Sequence, residues 1–334
     1  MRTITAIIVT LLATLTLCAQ KTTEHYHCIG FYNAENLFDT IHDAGRNDYE
    51  FLPKGANRWN SEKYTNKIAN IASVLSQLGR SQQPRGATIV GMCEIENSNV
   101  LDDLVKHPAL ARKGWKYLHA ESEDTRGVDC ALLYNPQFFT PKEKRLIAYG
   151  NGRKTRGFLV VSGTIANEQF HIIVNHWPSR YSKSPTREYA ATRVRAIKDS
   201  IAKCHPTTKI IVMGDFNDNP DNISLRDSLR THRNIAAVKS VSDLYNPFGE
   251  IYTTNRCGTL KYKGRWQLYD QILVNGNLCG KRSKGVKYDK CEIHAPEHLM
   301  TTEGKYKGYP KRTQANGVWL NGYSDHLPVV IYLK

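Results

Sequence analysis

The chain has 334 residues, of which 46 are Lys or Arg and 31 Asp or Glu; 40% are hydrophobic and 23% charged. That balance excludes a disordered, collagenous or multi-pass membrane protein. The formal charge of +15 favours a polyanionic partner such as nucleic acid, anionic lipid or a phosphorylated substrate, and is silent on fold.

Residues 1–20 read as a secretory signal: Arg2, the apolar run Ile4 to Leu17, then Cys18-Ala19-Gln20. About 20 apolar residues are needed to cross a bilayer, so the run is short for a span. The alternative is a lipid anchor on Cys18, although Leu17 stands where a lipoprotein signal wants a small residue. Losing this segment removes only Arg2 and leaves +14. The expected location is therefore outside the cytoplasm, periplasmic or extracellular.

His27 to Tyr32 reads as a short strand. Ile68, Ile71, Ala72, Leu75 and Leu78 then recur at helical spacing behind Ser61, the expected N-cap. Ala87 to Cys93 and Cys130 to Tyr134 are buried strands, and Phe158 to Ile165 with Gln169 to Asn175 flank Ala166-Asn167-Glu168 as a hairpin. A second helix follows Ser184-Pro185, with Ala190, Val194, Ile197 and Ile201 on one face. Lys209 to Met213, Leu268 to Val274 and Leu327 to Leu333 complete the strands. Hairpins mixed with helices imply a sheet-based α/β or α+β fold containing antiparallel pairs. Without repeats or a Pro/Gly/Ser linker, residues 21–334 read as a single domain.

Seven cysteines follow Cys18. Cys93 and Cys130 sit in apolar strands as small core residues, whereas Cys257, Cys279 and Cys291 lie in loop-rich sequence where one pair is a candidate bridge. No Cys-x-x-Cys occurs, which leaves a zinc knuckle or thioredoxin-type site without support.

Short polar clusters follow or interrupt the apolar strands: Asn33-Ala34-Glu35-Asn36, Glu94-Ile95-Glu96-Asn97, Asn175-His176 through Arg180, Gly214-Asp215-Phe216-Asn217-Asp218, and Tyr323-Ser324-Asp325-His326. A sixth, Tyr269-Asp270-Gln271, precedes one. Loops at strand ends, held by a rigid sheet, are common homes for catalytic groups. Hard oxygen donors suit Mg²⁺, Mn²⁺ or Ca²⁺, and carboxylates with imidazoles fit metal-assisted attack of water on a phosphoester. Each cluster alone is equally readable as a turn, a cap or an ion pair. The ordered set carries the argument.

In that order the motifs resemble the endonuclease/exonuclease/phosphatase superfamily, most specifically in Gly-Asp-Phe-Asn at 214–217 and Ser-Asp-His-Leu-Pro at 324–328. The resemblance spans Tyr26 to Lys334 and lies nearest the pancreatic-deoxyribonuclease-like branch. It implies a four-layered sandwich, two face-to-face β-sheets with helices outside, and an active site at one end. It further implies Glu94 as the principal metal ligand supported by Asn33, with Asp325 and, more loosely, Glu35 close to the metal. Asp215 and Asn217 match the pair that handles the attacking water and the phosphate, and Asp270 the aspartate that orients the catalytic His326. His176 matches a further catalytic histidine, with Asp129 a candidate to orient it. Arg156, Arg180 and Asn175 are candidate phosphate contacts. Cys93 departs from the glutamine common before the key glutamate.

Substrate is read from charge. Residues 281–312 hold nine Lys/Arg against four Asp/Glu, with Tyr288, Tyr306 and Tyr309 interleaved and Trp319 just beyond. Such a segment suits nucleic acid, and because it joins two site motifs it is expected near the catalytic mouth. The first reading is thus an exported metal-dependent endonuclease acting on DNA or RNA, with no obligate protein partner. The alternatives are a phosphatase or phosphodiesterase on inositol phosphates or phospholipid head groups, and a non-catalytic binding module.

Overall fold

The computed structural model describes residues 26–255, 257–280, 285–315 and 317–334, so the secretory-signal reading of residues 1–20 lies outside the described residues. Two mixed sheets face each other. The first runs Tyr288–Ile293, Val329–Leu333, His27–Leu37, Ile89–Ile95, Asp129–Tyr134, Lys116–His119. The second runs Phe139–Ile147, Phe158–Ile165, Glu168–His176, Lys209–Asp215, Asp270–Asn275, Leu244–Tyr245, Thr231–His232. Helix Ser61–Gln77 covers the outer face of the first and Ser184–Cys204 that of the second, giving the four layers the resemblance implies.

Side chains that alternate along each strand are buried on both faces, which explains the nearly continuous apolar runs. Ile29 and Phe31 meet Ile172, Val174, Ile211 and Met213 between the sheets. Tyr32, Val90 and Met92 turn outward to Ile68, Ile71 and Leu75 of the first helix, and Ile173 and Val212 to Ala190, Ala191 and Val194 of the second. Gly91 sets the sheet spacing, since a Cβ there would lie 2.4 Å from the Met213 sulfur.

The site follows from topology. Each sheet has a parallel pair joined through its helix: His27–Leu37 with Ile89–Ile95, and Glu168–His176 with Lys209–Asp215. The carboxyl ends of these strands carry Asn33, Glu94, His176 and Asp215. The antiparallel neighbour Asp270–Asn275 begins at that same end, Asp270 opposite Asp215.

Local expectations shift in detail. The first helix is capped by Asn60, whose side chain accepts from the Lys63 N–H; Ser61 is already its first residue. The hairpin turn is Ala166-Asn167 alone, both at positive φ, so Glu168 opens the second strand. Such a tight two-residue turn matches the twist of its strands. Cys257, Cys279 and Cys291 are all free, so the candidate bridge is absent; Cys279 and Cys291 pack against the core between the sheets. Among the described residues, no helix is long and apolar enough to cross a membrane.

Candidate active site

Asn33 sits between two carboxylates. Its amide donates to Glu94 Oε1 at 3.3 Å and Asp215 Oδ2 at 3.1 Å, while its own oxygen accepts from the Glu35 N–H. His176 Nε2 lies 3.8 Å from each of those carboxylate oxygens, and His326 Nε2 lies 3.9 Å from Asp215 Oδ2. Behind His326, Nδ1 meets Asp270 Oδ2 at 2.6 Å. Six groups, five from strand ends and His326 from the loop before the last strand, thus converge on one small volume.

The backbone is strained to put them there. Glu35, Asn36, Glu94 and Asn217 all take positive φ, and two of the first sheet's register shifts fall here. Residues other than glycine avoid that region, at roughly 1–3 kcal/mol each, and persist in it only where other contacts over-determine them. Such contacts are present: Asn36 N–H donates to Glu94 Oε2 at 2.8 Å, and Asn217 N–H to Asp215 Oδ1 at 2.9 Å. Gly214 is required on other grounds, because a Cβ there would lie 2.4 Å from the Asn175 carbonyl.

Burial and neighbouring charge set the protonation states. Burial, with Asp270 next, pushes Asp215 up to about 7 against the pull of His326. Burial opposes charge on His326, but Asp270 beside it, then Asp215 and Asp325, hold it well above its ordinary value. His176 goes the other way, pushed well below by burial and then by Arg156. The cluster therefore offers one imidazolium, one neutral imidazole and a carboxyl that titrates near neutrality.

Several expected residues are placed elsewhere. Asn175 is fully buried, its amide donating to the Ile173 and Met213 carbonyls, so it supports the strand end and does not face a phosphate. Arg156 is buried against Asp124 at 2.8 Å and donates to the Trp177 carbonyl, so it braces the His176 loop from beneath. Asp129 pairs with His119 at 3.3 Å and accepts from Ser122 N–H, leaving His176 Nδ1 without a partner. Glu35 does not join Glu94: its oxygens accept from Arg312 and the Thr313 N–H. Asp325 is held by the same Arg312 at 3.0 Å. Arg180 stays half-exposed on the rim, tied to Asp218 and the Asn217 carbonyl. Asn217 donates its side-chain amide to the Trp177 carbonyl.

Three contributors are not among the site residues the sequence singles out. Lys67 is fully buried and donates to the Tyr323 carbonyl and the Thr313 hydroxyl. Its signal was a lysine four residues before Ile71 on an apolar helical face. Ser324 donates to the Asn33 carbonyl and accepts from His326 N–H, which locks the last motif onto the first strand. Arg312 lies in a basic run that gave no reason to single it out.

The donor set fits a hard divalent cation. Asp215 and Asp270 face the His326 imidazolium, Glu94 faces neutral His176, and Asp270 Oδ1 is buried with no partner. Glu94 and Asp215 are the groups that would hold such an ion. Asn33, its oxygen already engaged by Glu35 N–H, holds both carboxylates in place.

A two-sheet sandwich whose strand ends gather carboxylates, a carboxamide and an Asp-oriented histidine defines a phosphoester hydrolase. The chain matches the model of the endonuclease/exonuclease/phosphatase family over residues 28–334 and belongs to that family. Its fold is similar to D. rerio TDP2 complexed with single-strand DNA product (TM-score 0.56, 13% identity, 92% of this chain and 99% of that one). It is likewise similar to the mannosyl-6-phosphatase of Bacteroides thetaiotaomicron VPI-5482 (TM-score 0.56, 15% identity, 92% and 99%). An endonuclease/exonuclease/phosphatase family protein from the same species aligns with TM-score 0.56 and 14% identity over 92% and 97%. No curated protein matches the chain by sequence.

Proposed function

We propose that the protein is an exported, divalent-metal-dependent phosphodiesterase that hydrolyses nucleic acid. The observation that carries the substrate is the surface beside His326. The hairpin of Leu260–Tyr262 and Arg265–Gln267 is bridged to the site through Leu260 and His326. It packs on residues 304–309, Gly264 N–H donating to Tyr309 Oη at 2.7 Å and Lys261 to the Gly308 carbonyl at 3.1 Å. Lys261, Lys263, Arg265, Lys305 and Lys307 gather there around Tyr262 and Tyr306, which are 61% and 44% exposed. Cations interleaved with open aromatic rings suit a phosphate backbone and its bases. Tyr288 and Trp319 do not contribute, being packed against Tyr245 and Trp59.

The chemistry follows from the protonation states. The metal, when bound, offsets negative charge on the phosphoryl oxygens. Asp215, within 3.9 Å of both histidines, is placed to take the proton of the attacking water. His326, kept charged and oriented by Asp270, donates to the phosphoryl group as charge builds. Neutral His176 lies across from it, facing Glu94 and Asp215. Asn217 holds the Trp177 loop over Asp215, and Arg180 waits at the rim.

A second reading rests on a cavity of about 280 Å³ lined by Glu35, Asn36, Asn57, Arg312 and Gln314 among others. Its charged groups compensate one another, which suits an uncharged hydroxylated group on a small phosphoester. Plasmid DNA, RNA, sugar phosphates, inositol phosphates and sphingomyelin, each with Mg²⁺, Mn²⁺ or Ca²⁺, separate the two. DNA or RNA cleavage that is lost in Asp270→Asn supports the nuclease. Turnover of sugar or inositol phosphates alone supports the second reading and sinks the first. Export rests on residues 1–20, and secretion of a reporter fused to them tests it.

A further inference from the structure

The floor beneath the catalytic groups is made of sulfur. Cys93, one residue before Glu94, is fully buried, and its Sγ, a ring nitrogen of His176 and a carboxylate oxygen of Asp215 lie within 4.8 Å of one another. Cys130 is its register partner on the adjacent strand, and both thiols are free. His176 is only 5% exposed, and its Nε2 lies 3.8 Å from Asp215 Oδ2 and from Glu94 Oε1, beyond hydrogen-bond reach of both.

A thiolate, an imidazole and a carboxylate form a different donor set from the oxygen cluster around Glu94. Mg²⁺ and Ca²⁺ take oxygen ligands, whereas Zn²⁺ and its spectroscopic substitute Co²⁺ accept sulfur and nitrogen in tetrahedral sites. We propose that Cys93, His176 and Asp215 form a thiophilic cation site, at which Zn²⁺ binds and inhibits hydrolysis.

The inference rests on the catalytic reading of Asp215 for its inhibitory part only. On binding, the Cys93 sulfur forms a bond to the ion and its proton passes to solvent; no redox change is involved. Burial, with Asp215 next, pushes the Cys93 thiol well above its ordinary value, so without an ion it stays a neutral core group. A dication reverses that balance, because the carboxylates that repel a thiolate attract the metal. The ion then occupies Asp215, the group that takes the proton of the attacking water, and the site cannot turn over.

Co²⁺ titration of the full chain, followed in the near-ultraviolet, reads the site independently of activity. The wild type is expected to show a thiolate-to-cobalt charge-transfer band that disappears in Cys93→Ala and persists in Cys204→Ala, which removes an exposed thiol. Ligand loss should weaken Zn²⁺ inhibition of the Mg²⁺-supported reaction by at least about 10–100-fold. Cys93→Ala should keep its Mg²⁺-supported turnover. A wild type without the band, or a band and inhibition unchanged in Cys93→Ala, overturns the proposal. Cys93→Ser, closer in volume, carries the same comparison if the alanine variant does not fold. If the chain cleaves no phosphoester at all, the cobalt band still decides the site, so the two failures are distinguishable.

Discussion

The molecule holds two buried acidic clusters that share strand His27–Leu37, and they differ in what neutralises them. At the rim, Glu35 and Asp325 meet Arg312, and Lys67 lies close enough to pull on both. At the floor, Asp215 and Asp270 meet His326 and Glu94 lies 3.8 Å from neutral His176; Arg156 is paired with Asp124, and Lys67, Arg312 and Arg156 act on Glu94 only through their field. The rim sets two cations against two carboxylates, whereas Asp215 and Asp270 at the floor share one; burial pushes Glu35 up to about 7 as it does Asp215, so the difference lies in direct partners. Burying carboxylates without partners is costly, and the floor keeps that cost because an incoming ion and a phosphoryl group make use of it. A structural ion network and a catalytic site are thus told apart by direct partners, where residue type alone would not separate them.

The largest effect should come from the floor. Asp270→Asn removes the charge that holds His326 protonated and oriented, and turnover should fall by about 10²–10⁴-fold with the melting temperature little changed. An unaltered rate would place the acid work elsewhere. At the rim the same kind of change should act on stability. Lys67→Met removes a buried charge that pulls on Glu35 and leaves the Thr313 hydroxyl and Tyr323 carbonyl without their donor, and should cost about 1–3 kcal/mol in urea unfolding, with the folded fraction still active. Adding Glu35→Gln should restore part of that loss, because the two groups share one interaction. Equal stability of Lys67→Met and wild type would break the contrast between clusters.

Acidity sharpens it further. Asp215 titrates at about 7, so below that value a proton competes with the cation. The sign follows from linkage: a raised carboxyl favours the fold while protonated, and that contribution is lost as pH rises from the ordinary carboxylate range through 7. A bound cation offsets the loss, so apparent Mn²⁺ affinity should fall about tenfold per pH unit below 7. Asp215→Asn should flatten that dependence. The smallest effect is expected at the surface. Lys263→Glu with Arg265→Glu should reduce the salt dependence of DNA binding by about two counterions and leave a small aryl phosphodiester unaffected.

The architecture and the strand-end motifs were legible because they are local. An apolar run followed by a polar cluster marks a strand and its loop, and the order of six clusters pointed to a family. What failed was pairing across the chain. Glu35 and Arg312 are 277 residues apart, and only the fold brings them together. By the resemblance Asp129 is a candidate to orient His176, yet the antiparallel pairing of Lys116–His119 puts His119 beside it instead. Arg156 and Asn175 are candidate phosphate contacts by residue type alone. Whether a guanidinium or carboxamide faces the opening or the core depends on Asp124 and on neighbouring backbone carbonyls, which no motif contains.

The central claim, that the floor awaits a cation and the rim does not, is tested most directly by calorimetric titration of Mn²⁺ into three proteins. The wild type and Glu35→Gln should bind one ion with similar affinity, and Glu94→Gln should lose that binding. Unchanged Mn²⁺ binding in Glu94→Gln, or its loss in Glu35→Gln, would contradict the account.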